Sequence, residues 1–389
     1  MESTLKRTWA EIDLDALAHN YKTLRNRVGE NVKFLGVVKA DAYGHGSVQV
    51  SRLLEKMGAD YLAVSSGDEA IELRRNGINM PILILGHTPK DQVEQLIKYD
   101  ITQTVTCKAK AYEYSDEASR LGKELKVHIK VDTGMSRLGF LCDEQFFDNG
   151  VEGICESCKL PGINVEGIFT HFAVADEDGE ECVAYTKHQF KLFTDVIKAC
   201  EEKLGHKFKI RHCANTGAVA KYPETWLDMV RPGLLLYGYG EFADELGLKP
   251  VMSLKTTVST IKVYPEGTAI SYGGLYKTDK KTRVGVLPYG YADGFFRCLS
   301  NRYELFTEEG HVRQLGRICM DMCMIDLTDK YQVDVGSEVE IFGKLNSINK
   351  MAEIAGTIPY ELTCAVSKRV PRIYLENNEV VEKDLMLRG

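Results

Sequence analysis

The chain has 389 residues, enough for two or three domains at roughly 150 residues each, or for one barrel plus a smaller domain. Hydrophobic residues make up 44% and charged residues 27%, the balance of a folded protein with a sizeable core and not of a disordered one. With 49 Lys and Arg against 56 Asp and Glu, the formal charge is -7, which argues against nucleic acid or an anionic membrane as the main partner. No apolar run approaches the ~18 residues of a membrane span. Basic residues near the start are followed by no apolar segment. No signal or transit peptide is therefore expected, and the protein reads as cytoplasmic. Eleven cysteines, an odd number, point to free thiols in a reducing compartment. Cys155 and Cys158 form a lone C-x-x-C with no second pair, so no metal is expected.

The first helix is signalled by Asp13 as N-cap, an apolar face of Leu14, Leu17, Ala18, Tyr21 and Leu24, and Gly29 as stop. Strands are then expected at Val32–Lys39, Tyr61–Ser65, Pro81–Leu85, Ile101–Thr106, Lys126–Val131, Val165–Thr170, Phe208–His212 and Asp228–Arg231. Helical stretches such as Asp68–Asn76, Pro89–Tyr99 and Tyr185–Leu204 separate most of them. Eight such alternations predict a (β/α)8 barrel, with an open doubly wound sheet as the alternative. Beyond about Glu241 the texture becomes β-like at Val251–Tyr264, Arg283–Leu287, Val312–Met320, Met322–Leu327, Glu338–Phe342, Val370–Leu375 and Val380–Val381, with one helix at Ile348–Ala355. The expected division is a barrel over residues 1–243 and a mostly β domain over 244–389.

Lys39 ends the first barrel strand, and the rim of a barrel at that end faces its active site. Apolar surroundings favour the neutral amine, which can form a Schiff base or accept a proton. Taken alone, Lys39 could equally snorkel at a strand end. Other strand ends add Lys130 and Arg137, Thr170-His171, Asn215-Thr216-Gly217 and Arg231-Pro232-Gly233-Leu234. Loops after strands seven and eight commonly bind phosphate through backbone N–H groups and hydroxyls. A Schiff-base lysine facing a phosphate cradle suggests pyridoxal phosphate. Single residues have plainer readings: His171 as a core histidine, Arg137 as a surface ion pair.

Three stretches carry a family resemblance: Val38-Lys39-Ala40-Asp41-Ala42-Tyr43-Gly44-His45-Gly46, Val131-Asp132-Thr133-Gly134-Met135-Ser136-Arg137-Leu138-Gly139 and Val230-Arg231-Pro232-Gly233. Ser271-Tyr272-Gly273, Gly290-Tyr291-Ala292-Asp293-Gly294, Ile318-Cys319-Met320-Asp321 and Pro359-Tyr360-Glu361 extend it into the second domain. On these residues the sequence closely resembles the alanine racemases, pyridoxal-phosphate enzymes with an N-terminal barrel and a C-terminal β domain. The resemblance implies that Lys39 holds the cofactor as a Schiff base and acts as one acid/base group. It implies that Tyr272 is the other, with His171 and Arg231 as its relay. Arg231 would face the pyridine nitrogen and keep it a weak electron sink. Tyr43, Asn215, Thr216, Gly233, Leu234 and Tyr360 would hold the cofactor. The family often has serine at the position of Thr216. Arg137 and the Met320 N–H would bind the substrate carboxylate. Lys130, carbamylated in some members, would position Arg137. Asp321 is a supporting residue, and Asp176, Tyr291 and Arg297 match the entrance corridor. The implied assembly is a head-to-tail homodimer with shared sites, and the implied product is D-alanine for peptidoglycan. A barrel-type amino-acid decarboxylase and a non-catalytic pyridoxal-phosphate-binding protein are the alternatives. Arg231 speaks against the first and Tyr272 against the second.

Overall fold

The computed structural model describes residues 7–385. Residues 1–6, from which a missing leader was inferred, lie outside the described residues. The chain divides into two compact units. One holds Asn20–Ala42 and Ser47–Leu236; the other holds the described residues up to His19, then Tyr43–Gly46 and the chain from Tyr237 onward. Among the described residues, no helix is long and apolar enough to cross a membrane.

In chain order β1 (Thr8–Asp13) comes first and belongs to the second unit. Then follow the eight strands expected from the sequence: β2 (Lys33–Val37), β3 (Tyr61–Val64), β4 (Ile82–Ile84), β5 (Thr102–Val105), β6 (Leu125–Asp132), and, after a short β7 (Phe140–Leu141), β8 (Ile163–Phe169), β9 (Ile210–His212) and β10 (Met229–Val230). They lie side by side in the order β10-β2-β3-β4-β5-β6-β8-β9, every pair parallel. Asp228 N donates to Arg211 O at 3.0 Å and Arg231 N to Ala214 O at 3.0 Å, which joins β10 to β9 and closes the ring. Continuous apolar runs suit strands that are buried on both faces, and Phe34, Leu35, Leu62, Ile82 and Leu83 are wholly buried. The expected barrel is therefore present. Asp13 Oδ1 caps the first helix by accepting Ala16 N at 2.8 Å, and Gly29 with φ +78° follows its end at Val28.

One feature that positions the site was not legible. Ala40, Asp41, Ala42 and Tyr43 have φ between 51° and 54°, so Lys39 opens one turn of left-handed helix. Non-glycine residues there cost roughly 1–2 kcal/mol each. Fixed polar bonds hold the turn: Ala40 N donates to Glu69 Oε1 at 2.8 Å, Ser47 N to Asp41 Oδ1 at 2.8 Å, and Ala42 N to Val38 O at 2.9 Å. Glu69 anchors the turn to β3, because its other oxygen accepts Ser65 N.

The second unit is built on a ten-stranded sheet. Here β1 lies antiparallel to Met252–Thr257 and parallel to Arg372–Glu376. The sequence reading placed no strand at Thr8–Asp13. Its alternation is interrupted by Trp9, Ala10 and Thr8 all being buried between two partners. Other segments of this unit also differ from expectation, among them Glu304–Thr307, a strand where none was expected. Val251–Tyr264 is two strands, Met252–Thr257 and Thr260–Tyr264. The strand expected to reach Met320 ends at Leu315, so the Met320 segment is a loop. Pro359–Cys364 is a second helix, six residues long with proline in its first turn, too short to show a helical period.

Candidate active site

In the barrel unit the site grows from the ends of β6, β8, β9 and β10. Arg231 follows β10 with its guanidinium fully inside. Its Nη2 donates to Thr170 O at 2.9 Å and Cys213 O at 3.1 Å, and reaches His171 Nδ1 at 3.4 Å; its Nη1 reaches His212 Nδ1 at 3.0 Å. Among the described residues these hydrogen-bond partners are two imidazoles and two carbonyls, with no carboxylate. Burial lowers the Arg231 pKa to about 10, which leaves it charged at neutral pH. That charge fixes its neighbours. A guanidinium only donates, so both histidines accept at Nδ1 and carry their protons on Nε2. Burial, then Arg231, holds His171 and His212 well below the usual histidine range, so both are neutral. His212 Nε2 then donates to His128 Nδ1 at 2.9 Å. His128 is also neutral, pushed down to about 3 by burial.

Nearby, the Thr216 hydroxyl accepts Gly233 N at 2.9 Å, which joins the loops after β9 and β10. The Asn215 side chain is anchored at both ends: Oδ1 accepts Ala218 N at 3.2 Å as helix N-cap and Nδ2 donates to Phe172 O at 3.4 Å. Asp132 shapes the loop that carries Arg137, accepting the backbone N–H groups of Gly134, Ser136 and Arg137 at 2.9–3.0 Å. The Arg137 side chain itself is exposed, as is Asp176. Lys39 is half-buried, and Gly233 and Leu234 are buried.

In the second unit, the Tyr43 and Tyr360 rings lie 5.0 Å apart. An open cavity of about 760 Å³ is lined by Tyr272, Met320, Asp321 and Ser271 among others. Tyr272 is 69% exposed, and Met320, Met322 and Leu275 are also exposed, so an apolar patch surrounds the phenol. Ser271, just before Tyr272, has φ +65° and ψ -174°, a region other residues than glycine seldom enter. Its hydroxyl donates to Arg317 O at 2.6 Å, which holds the turn. Arg297 is exposed and does not line this cavity; Tyr291 stands behind the Met320 loop, its N–H donating to Cys319 O at 2.9 Å.

The alanine racemase N-terminal domain model matches residues 12–241, and the C-terminal domain model matches residues 251–374. The chain belongs to the alanine racemase family. It is 45% identical over 390 aligned residues to the alanine racemase of Clostridium perfringens, covering 98% of this chain and 99% of that one. It superposes on the solved alanine racemase of Clostridium difficile with TM-score 0.91 at 41% identity, over 99% and 100% of the two chains. The alanine racemase of Bacillus anthracis, solved with bound L-Ala-P, gives TM-score 0.87 at 34% identity, over 99% of each.

Of the residues beneath Arg231, Lys130 and Asp132 stand out in the sequence, whereas His128 and Phe169 do not. His128, Lys130 and Asp132 alternate on one face of β6, and that period of two marks side chains sharing a side of the strand. It was the available signal. Phe169 stacks on His212 at 4.7 Å and lies under both cations, 5.4 Å from Arg231 and 5.6 Å from Lys130. Nothing in the sequence distinguishes that phenylalanine from a packing residue.

Lys130 yields a pH prediction for this racemase. Burial lowers its pKa to about 7, and Nζ donates to Val131 O at 2.6 Å. Between about pH 7 and the ordinary lysine range the unfolded chain binds a proton here that the folded chain does not. Stability therefore rises with pH across that window, and the penalty is greatest below about pH 7. In buffer free of carbon dioxide, Lys130→Met should remove this slope. Urea unfolding should show the variant's stability advantage at about pH 7 shrinking by about pH 9.5.

Proposed function

We propose that this chain interconverts L- and D-alanine with pyridoxal phosphate, using Lys39 and Tyr272 as two acid/base groups in a head-to-tail homodimer. The observation that carries the mechanism is the buried Arg231, charged and without a carboxylate among its hydrogen-bond partners in the described residues. An acid at that place would favour a protonated pyridine and the strong electron sink of decarboxylases and aminotransferases. A guanidinium that keeps its proton favours the weaker sink that suits racemisation.

The residues present fit the cofactor. The Thr216 hydroxyl accepts Gly233 N and keeps its own proton to donate, chemistry suited to a phosphate oxygen, and Arg231 is a donor suited to a neutral ring nitrogen. Lys39 would hold the aldehyde carbon; Tyr43, Thr216, Gly233, Leu234 and Tyr360 would hold the phosphate. When bound, the cofactor supplies a conjugated electron sink that acidifies the Cα hydrogen of an amino acid joined to it.

Inversion at Cα needs proton removal on one face and delivery on the other, and one side chain cannot easily reach both. The Lys39 amine serves one face. The Tyr272 Oη serves the other, with His171 and Arg231 behind it as its hydrogen-bonded relay. His171 is neutral: its Nδ1 accepts from Arg231, and its Nε2–H is left to donate a hydrogen bond to the phenol oxygen. Arg137 and the Met320 N–H bind the substrate carboxylate. The lowered pKa of Lys130 supports its carbamylation, because only a neutral amine adds carbon dioxide. Asp321 supports the Met320 loop, and Asp176, Tyr291 and Arg297 line the approach to the site. The exposed phenol of Tyr272 within an apolar patch supports docking by a second copy.

On this reading residues 1–243, less the segments that belong to the second unit (the described residues up to His19, Tyr43–Gly46 and Tyr237–Ala243), form the cofactor-binding domain, and 244–389 the main part of the domain that serves the partner. D-alanine made in the cytoplasm would supply peptidoglycan. Incubation with L-alanine in deuterated water tests the reading. D-alanine carrying deuterium at Cα is expected; carbon dioxide release, or no exchange, would overturn it.

A further inference from the structure

The Met320 segment is held by a device that the mechanism above does not use. The turn Tyr291–Asp293 clasps it through two backbone bonds: Tyr291 N donates to Cys319 O at 2.9 Å and Ala292 N to Met320 O at 3.0 Å. The fit is close, since a Cβ on Gly290 would lie 2.4 Å from Met320 O. Both carbonyls are thus occupied. The Met320 N–H has no backbone acceptor among the described residues.

Asp293 ties that turn to the rest of the unit. Its carboxylate is wholly buried, accepting Gly290 N at 2.9 Å, Arg369 Nε at 2.7 Å and Arg7 Nη1 at 3.4 Å. The same Arg369 reaches across to Asp321, donating from Nη2 to Oδ1 at 2.8 Å. One guanidinium therefore grips the turn through Asp293 and the loop through Asp321, on the residue directly after Met320. Such charge-assisted bonds are shorter and stronger than neutral ones, and the planar fork fixes direction as well as distance.

We propose that Asp293 and Arg369 are positioning residues for substrate: their bridge fixes the Met320 N–H where it meets the alanine carboxylate. The inference rests on the role proposed above for Met320. A carboxylate keeps its charge through proton transfer at Cα, so a group that holds it binds ground state and transition state alike. Loosening that group raises KM and leaves kcat nearly unchanged.

The test is steady-state kinetics of the full-length holoenzyme, with inhibition by propionate, which is alanine without its amine. Arg369→Met should raise KM for both enantiomers and the propionate inhibition constant together, by about tenfold, with kcat within about twofold. Arg369→Lys should recover part of the loss. Asp321→Ala cuts only the outer half of the bridge and spares buried Asp293, so it gives a reading if Arg369→Met does not fold; a severalfold rise in both constants is expected. Propionate constants unchanged in both variants, with parent enzyme inhibited, would overturn the bridge and leave the Met320 reading standing. A kcat loss that tracks lowered thermal stability at constant KM would also overturn it. If propionate fails to inhibit the parent enzyme, the carboxylate role of Met320 falls and this proposal falls with it.

Discussion

Replacing Lys39 with alanine abolishes both racemisation and the near-visible absorbance of enzyme-bound pyridoxal phosphate. The reason is double occupation of one amine. The same nitrogen joins the cofactor and then carries a proton to or from one face of Cα, so its removal takes away an attachment and an acid/base group at once. The expected loss is at least about a thousandfold in kcat/KM, larger than for any residue with a single role. The phosphate contacts expected from Thr216 and Gly233 survive, so the variant should still take up cofactor weakly and without the Schiff-base band. Absorbance spectra and a coupled racemisation assay check this. A variant that keeps the band would place the Schiff base elsewhere.

The second large effect belongs to Tyr272→Phe, which loses only a hydroxyl. The phenol is exposed on its own chain, so little folding energy depends on it, and the absorbance band should persist. Because the two enantiomers are equal in free energy, kcat/KM must fall by the same factor in both directions, by about a hundredfold or more. The asymmetry appears instead in isotope exchange. Lys39 can still remove and return the Cα proton on its own face. One enantiomer should therefore exchange Cα hydrogen for solvent deuterium without inverting, and the other should not exchange. Equal exchange of both enantiomers would show that Tyr272 is not the second acid/base group.

How much of this was legible depends on whether a signal is local. The eight barrel strands were readable because each is a short apolar run bounded by turn residues, buried on both faces. Strand β1 was not, since Thr8–Asp13 owes its place to partners more than two hundred residues away, at Met252–Thr257 and Arg372–Glu376. The left-handed turn after Lys39 was hidden too. Ala40, Asp41 and Ala42 are ordinary residues there, and the bond from Ala40 N to Glu69 that helps keep them at positive φ comes from tertiary structure. At the site, motif residues such as Lys39, Arg231 and Tyr272 carried their chemistry in their identity. Their support did not. His128 shares one face of β6 with Lys130 and Asp132, but only the structure shows it ending the line from Arg231 through His212. Asn215 also caps a helix, a role its identity did not announce.

The measurement that bears most directly on the account mixes two inactive proteins. Lys39→Ala retains its tyrosine and Tyr272→Phe retains its lysine. If one chain's Lys39 works with the other chain's Tyr272, each mixed dimer contains one intact site and one doubly altered site. Random reassembly makes half the dimers mixed, so activity should return to about a quarter of the parent value. Recovery near that level is the result predicted here. No recovery above either variant alone, with mixed dimers shown to have formed, would contradict the claim that the two groups come from separate chains.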